Sequence, residues 1–94
     1  MDKVLKLACD LAQKYRAKRV VIYGSRARGD NRETSDYDLA FFGVTEKNQP
    51  QISHALNWEA PTLCKVDIVF DGSITDELGK NIKKEGKTIY EAKY

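Results

Sequence analysis

The spacing of apolar residues changes along this chain, and each spacing predicts a type of element. Residues 2 to 16 carry apolar side chains three and four positions apart, which predicts an amphipathic helix. Val20 to Tyr23 is a continuous apolar run rich in β-branched residues, which is typical of a buried strand. Apolar runs at residues 36 to 43 and 63 to 70 predict two further strands.

Shorter segments complete the predicted order. Residues 25 to 30 fit one or two helical turns, and a third helix begins near Pro50 and is stopped by Pro61. A last helix runs from Thr75 to Gly86, and residues 89 and 90 fit a short edge segment. The resulting order predicts an α/β (α+β) sandwich in a single domain over residues 1–94.

The connection between the first two predicted strands constrains the sheet. It runs from Gly24 to Ser35, which is close to the lower limit for a parallel crossover. We therefore expect a mixed sheet of about three to four strands packed with helices.

Composition narrows the function classes. Hydrophobic residues make up 41% and charged residues 32% of the 94 residues, which is ordinary for a globular domain. The formal net charge of +2 is too weak to indicate nucleic-acid binding. No apolar run reaches the length of a membrane span, and the N-terminus lacks the apolar core of a signal peptide, so we expect a cytoplasmic protein without membrane contact.

The cysteines and aromatic residues have structural interpretations. With Cys9, Cys64 and one histidine, a zinc site is excluded, and we expect both cysteines to be small buried hydrophobes. His54 and Trp58 lie on the third predicted helix, where core packing or a partner surface is favoured over catalysis. Tyr37 is predicted to point into the core.

A phosphate-binding turn is indicated at the end of the first strand. Gly24 and Gly29 have the spacing of a Walker A loop, but Asp30 and Asn31 stand where lysine and serine or threonine are required. The P-loop interpretation therefore fails, and the dinucleotide pattern G-x-G-x-x-G is absent. A strand that ends at Gly24 and Ser25 can still present backbone N–H groups to phosphate.

Three aspartates provide the candidate metal ligands. Asp36 and Asp38 are two residues apart on a predicted strand, so their side chains share one face. Asp67 interrupts an apolar strand, against propensity, and joins them if the two strands are neighbours. Such a cluster repels itself unless a cation such as Mg²⁺ lies within it. The alternatives are a turn or N-cap role for Asp36 and an ion pair with Lys65 for Asp67.

The pattern Gly24-Ser25, ten residues, then Asp-x-Asp resembles the signature of the DNA polymerase β-like nucleotidyltransferase superfamily, and its smallest members, the minimal nucleotidyltransferases, in particular. Residues 65 to 70 look like the family's third-carboxylate strand, and residues 82 to 90 like its helix-to-strand ending. The resemblance covers essentially the whole chain and implies the small nucleotidyltransferase fold.

The resemblance also implies roles for the three carboxylates. Asp36 and Asp38 would ligate both Mg²⁺ ions of a two-metal site together with the triphosphate of ATP. Asp67 would ligate the ion on the side of the nucleophile and take the proton from the attacking hydroxyl.

Four residues of the turn are assigned to the nucleotide on the same basis. Gly24 would permit close backbone approach, and Ser25 would bind the terminal phosphates. Arg26 and Arg28 are candidates for neutralising phosphate charge, although solvated surface positions are an open alternative for both.

The biological role is implied by resemblance alone. Minimal nucleotidyltransferases are typically paired with a small helical HEPN protein, and the antitoxin transfers AMP to a tyrosine of that ribonuclease toxin. The resemblance implies that the chain is a protein adenylyltransferase. We expect nothing beyond the catalytic core to grip an acceptor, so something else must present it. One alternative is a catalytically silent antitoxin that neutralises its partner by contact. Another is a transferase acting on RNA or a small molecule. Self-association is left open, with Trp58 and Tyr94 as candidate surface residues.

Overall fold

The computed structural model describes residues 2–93, which form four α-helices around one four-stranded sheet. In chain order the elements are α1 (Lys3–Lys14), β1 (Arg19–Tyr23), α2 (Ser25–Arg28), β2 (Tyr37–Phe42), α3 (Gln49–Trp58), β3 (Val66–Phe70), α4 (Asp76–Glu85) and β4 (Lys87–Glu91). Short 3₁₀ turns precede α3 and follow β3. This is the small α/β fold with a mixed sheet that the sequence predicts.

The sheet has the strand order β3-β2-β1-β4. β1 is antiparallel to both β2 and β4, whereas β2 and β3 are parallel. In this register Tyr23 lies opposite Asp38, and Asp38 lies opposite Asp67. The predicted edge segment at residues 89 and 90 is part of β4. The short connection between β1 and β2 is therefore a hairpin-like return and not a crossover.

One face of the sheet is closed by helices. Its strand residues pack with α1 and α3 into the larger apolar cluster, and Leu39 and Phe41 have no exposed surface. We call this side the closed face. Alternation along β2 places Tyr37 there too, at 5% exposure, which confirms its prediction as a core residue.

The opposite face is only partly covered, and we call it the open face. Val21, Tyr23 and Ala40 pack there against Ile82 of α4. Phe42 and Val69, on β2 and β3, remain half-buried. Because α4 lies over β1, the β2–β3 half of this face is accessible, and it carries Asp38 and Asp67.

The first helix is joined to the closed face through its cap. Asp2 accepts hydrogen bonds from the backbone N–H groups of Val4 and Leu5, and the Tyr37 hydroxyl donates to its Oδ2 at 2.6 Å. These bonds lower the pKa of Asp2 although burial opposes them. The helix predicted to reach residue 16 ends at Lys14, and Arg16 has a left-handed φ of 57°.

Two predictions on the buried residues were wrong. β3 begins at Val66 and not at residue 63, because the Cys64 N–H bonds to Thr62 Oγ1 in a turn that leaves Leu63 fully exposed. Cys9 and Cys64 are half-buried instead of fully buried, and each thiol donates to a backbone carbonyl, that of Ile89 and of Glu33 respectively.

The third helix carries its aromatic residues at the surface. Trp58 is 78% exposed, and the ring centroid of His54 lies 6.3 Å from that of the tryptophan. This agrees with a surface position for Trp58, whereas Tyr94 lies outside the described residues. Between residues 2 and 93, the longest apolar helices fall short of what a membrane crossing requires.

Candidate active site

A row of three polar side chains crosses the open face of the sheet. Asp67 on β3, Asp38 on β2 and Tyr23 on β1 occupy paired positions on neighbouring strands. Directly paired residues project from the same face, so their side chains are adjacent. The predicted convergence of Asp38 and Asp67 is therefore present.

Asp36 lies immediately before β2, two positions from Asp38. The charges of the three aspartates act on one another: the pKa of Asp38 is raised by burial first, then by Asp67 and then by Asp36. Arg28 and Lys65 act in the opposite direction. A cation among these carboxylates would offset the unfavourable charge that burial and the neighbouring aspartates give Asp38.

The turn after β1 approaches the carboxylate of Asp38 closely. Gly24 has a φ of +76°, and a Cβ atom built on it would lie 2.5 Å from Oδ2 of Asp38. Only glycine fits this position, both for its backbone conformation and for the space available. The Gly24 carbonyl accepts hydrogen bonds from the N–H groups of Ala27 and Arg28, which starts α2 at Ser25. The turn and Asp38 thus form one continuous surface.

Asp67 already has a cationic neighbour. The Nζ atom of Lys65 lies 3.3 Å from its Oδ1, in an ion pair whose side chains are 69% and 41% exposed. This is the pairing that the sequence left open, although it is solvated and not buried. Exposed pairs of this kind contribute little stability, so another cation can replace the lysine.

The donor set fits magnesium that arrives with a nucleotide. Among residues 2–93, no three histidine, cysteine, aspartate or glutamate side chains are grouped closely enough to hold a metal by themselves. Magnesium commonly takes one or two carboxylates, and substrate phosphates and waters supply its other ligands. Asp38, Asp67 and the neighbouring Asp36 offer hard oxygen atoms of this type beside the Gly24 turn.

Arg26 stabilises the loop that precedes Asp36 through hydrogen bonds. Its guanidinium donates to the carbonyl oxygens of Ser35, at 2.9 and 3.1 Å, and of Glu33, at 3.2 Å. It also lies 3.8 Å from the centroid of the Tyr37 ring. These contacts hold the guanidinium against the loop, and the predicted phosphate contact of Arg26 stays a prediction.

Arg28 joins α2 to α4. Its Nε lies 3.1 Å from Asp30 Oδ2, and its Nη1 lies 2.9 Å from Glu85 Oε2. The hydrogen bond with Asp30 is the largest cause of the raised pKa of Arg28. Since its charge also acts on Asp38, Arg28 lies at the margin of the site, and its predicted phosphate contact stays a prediction.

Tyr23 and Glu85 were not predicted as residues of the site. Burial, followed by the charges of Asp38 and Asp67, raises the pKa of the Tyr23 hydroxyl. Alternation along the first strand, combined with an antiparallel register, could have placed Tyr23 beside Asp38. Nothing in the sequence signals Glu85, because its contact with Arg28 spans 57 positions.

Comparison with protein families decides the classification. The profile described as "Polymerase beta, Nucleotidyltransferase" matches residues 6–94. The chain belongs to the polymerase β nucleotidyltransferase family. The resemblance noted in the sequence is therefore confirmed. Comparison with curated proteins gave no match.

Solved structures with the same fold agree with this family. A structure described as a candidate minimal nucleotidyltransferase is 28% identical, with a TM-score of 0.70, and the match covers 93% of this chain and 95% of that one. A toxin–antitoxin structure with AMP-PNP is 17% identical over 95% of this chain and 74% of the other, with a TM-score of 0.75. An MNT antitoxin in complex with a tri-AMPylated HEPN toxin from Shewanella oneidensis is 15% identical over 95% and 71%, with a TM-score of 0.69.

Proposed function

We propose that this nucleotidyltransferase uses Mg²⁺ and ATP to transfer AMP to a hydroxyl group of a partner protein. The observation that carries the proposal is the pairing of Asp38 with Asp67 on an accessible sheet face, in contact with the Gly24 turn. The Gly24 turn, which would bind phosphate, and the paired carboxylates meet there, on the half of the described sheet face that α4 leaves accessible. That arrangement suits a bulky nucleotide and a second macromolecule at the same site.

The transfer follows from what each group can do. The acceptor oxygen attacks the α-phosphorus of ATP and forms a new P–O bond, while the bond from that phosphorus to the bridging oxygen breaks and pyrophosphate leaves. Asp67, which lies at the outer end of the row, would take the acceptor's proton. Asp36, Asp38 and Asp67 would hold magnesium, which when bound neutralises charge on the attacking and leaving oxygens. Gly24 and Ser25 would bind the terminal phosphates.

The proposed partner is a small helical HEPN-family protein in the same cytoplasm. Support comes from the fold shared with the Shewanella oneidensis MNT antitoxin, whose HEPN toxin is tri-AMPylated in the complex. The AMP-PNP in the related toxin–antitoxin structure favours ATP as the donor. A tyrosine is the expected acceptor side chain.

A second candidate function is a binding module that neutralises its partner by contact alone. The ion pair between Lys65 and Asp67 favours it, because this lysine already satisfies one of the carboxylates that catalysis requires. The two functions differ in whether neutralisation depends on the carboxylates.

One incubation separates the two functions. The chain is mixed with ATP labelled at the α-phosphate, Mg²⁺ and the partner encoded beside it, and label on the partner is measured. We expect label with the natural chain and with Asp10→Asn, an exposed acid on α1, but none with Asp36→Ala. Neutralisation that survives Asp36→Ala and Asp38→Ala without any label would instead establish the binding module.

A further inference from the structure

β3 has one unpaired edge beside the candidate active site. Within the part of the chain that the structure describes, β3 pairs only with β2, and its other edge has no strand next to it. The segment contains five residues without proline, and four of them are half-buried. Unpaired edges of this kind are templates for an additional strand.

The direction of the hydrogen bonds identifies the free backbone groups. The N–H of Tyr37 donates to the carbonyl of Lys65, so Lys65 and the alternate residues after it direct their backbone groups toward β2. Val66, Ile68 and Phe70 therefore direct their N–H and C=O groups outward. Their side chains point to the closed face. Val66 is only 5% exposed, whereas Ile68 and Phe70 are half-buried, so the accessible outward groups of this edge are those of Ile68 and Phe70.

We propose that this edge binds an extended segment of the acceptor protein as a fifth, antiparallel strand. The inference rests on the proposed function and says how the hydroxyl reaches the site. Asp67 directs its backbone toward β2, so the residue facing it would form a non-hydrogen-bonded pair, the arrangement that brings side chains closest. That residue would project from the open face, with its hydroxyl beside the Asp67 carboxylate.

The site geometry favours this edge over the other. β4 is also an edge strand, but β1 and β2 separate it from Asp67. Only a strand added to β3 extends the row of Tyr23, Asp38 and Asp67 at its carboxylate end. In a largely helical partner, the occupant is a non-helical segment with a tyrosine, because the free edge requires extended backbone.

Matched peptides test the orientation. The probe is a synthetic five-residue peptide with blocked ends, a central tyrosine and valine or threonine on either side. One version carries N-methyl groups on the residues that flank the tyrosine, and the other carries one on the tyrosine itself. In the proposed register the flanking amides face β3 and the tyrosine amide faces solvent. We expect the flanking methyl groups to reduce AMP transfer at least tenfold and the tyrosine methyl group to leave it within twofold.

Amide exchange provides a readout that does not depend on transfer. Adding the unmethylated peptide with Mg²⁺ and ATP should slow exchange at the outward amides of Ile68 and Phe70, while the ladder amides of Asp67 and Val69 are protected already. An unchanged exchange rate at Ile68 and Phe70 overturns the inference, whatever the transfer assay shows. Equal transfer to both methylated peptides also overturns it and leaves the proposed function intact.

A pair of variants of the protein tests the same hydrogen bonds as the methylated peptides. Ile68→Pro removes an outward N–H that β2 does not use, and Ile68→Ala removes similar packing but keeps that N–H. We expect Ile68→Pro to lose peptide-dependent protection at Phe70, and Ile68→Ala to retain it. Equal behaviour of two folded variants overturns the inference. So does protection that appears in the chain alone as its concentration rises, which would identify a second copy as the occupant.

Discussion

The two faces of β2 differ in burial and in charge. Leu39 and Phe41 on the closed face have no exposed surface and are packed from several directions. Asp38, one position away on the open face, sits between Asp67 and Tyr23 with an unfavourable charge. The closed face contributes stability, whereas the open face gives up stability for an accessible cluster of carboxylates. Substitutions on the closed face should therefore lower stability. Substitution of Asp38 on the open face should lower transfer without lowering stability.

The largest expected effect is on transfer and comes from the open face. Asp38→Asn keeps the shape of the side chain but removes the central carboxylate charge. Metal-assisted charge stabilisation is worth several kcal/mol, so we expect AMP transfer to fall by about 10³-fold or more. Thermal unfolding should occur at the same temperature or higher, because a charge with a raised pKa is lost. A lower unfolding temperature would contradict the contrast between the faces.

The control for that substitution is Asp10→Asn. Asp10 is also an acid, 60% exposed on α1, and pairs only with Lys6 in the contacts described. Transfer by this variant should match that of the natural chain.

The largest effect on stability should come from the closed face. Leu39→Ala leaves a cavity at a fully buried position, which we expect to lower the free energy of unfolding by about 2–5 kcal/mol. Denaturant unfolding measures it, and Leu63→Ala provides the matched control. Because Leu63 is fully exposed, the same change there should remain within about 0.5 kcal/mol. Equal effects at the two leucines would refute the assignment of the closed face.

The glycines at the two ends of α2 allow a matched comparison of a position that contacts Asp38 with one that does not. Gly24 and Gly29 both have positive φ angles, but their ψ angles of −156° and 8° differ. Alanine costs about 1–2 kcal/mol of backbone strain in the left-handed conformation of Gly29 and about 1–3 kcal/mol in the almost glycine-only conformation of Gly24. Only at Gly24 does the new Cβ meet Asp38, since nothing lies within 4 Å at Gly29. We expect Gly24→Ala to lose ATP affinity by at least about tenfold in calorimetry, an effect near 1.4 kcal/mol. Gly29→Ala should keep the affinity, and equal losses would argue against the close approach.

A smaller effect on stability than that of Leu39→Ala is expected at Asp2, which links the closed face to α1. Asp2→Ala removes a helix cap and should cost about 0.5–2 kcal/mol near neutral pH. The pKa of Asp2 is lowered by folding, so its contribution is present above the ordinary value of 3.8 and declines as pH falls through the folded value. The difference in stability between the natural chain and the variant should therefore shrink in acid. A difference that grows on acidification would reverse the sign of this linkage.

Local patterns were enough to predict much of the fold and the candidate site. The alternation from Asp36 to Phe42 separated core from site positions because strand side chains alternate strictly. The length of the connection after Gly24 indicated the mixed sheet, since it is close to the lower limit for a parallel crossover. The position of Asp67 within an apolar strand gave its face correctly once the strands were taken as neighbours.

Long-range side-chain contacts were not predictable in the same way. Arg26 and Arg28 look equivalent in the sequence, but one contacts the loop carbonyls of Glu33 and Ser35 and the other pairs with Glu85. The start of β3 was misplaced because Leu63 and Cys64 extend an apolar pattern that the turn at Thr62 interrupts. Such contacts depend on the packed arrangement of distant elements, which single-residue propensities do not encode.

The segment that runs from the end of β1 into β2 carries most of the residues assigned to the site. Every group assigned to the nucleotide comes from residues 24 to 38, whereas the carboxylate nearest the acceptor arrives separately on β3. Evolution could therefore silence transfer by altering a single strand and still preserve nucleotide capture. A descendant of this kind would act as an ATP sensor, and position 67 is where its divergence from the enzymes should first be sought.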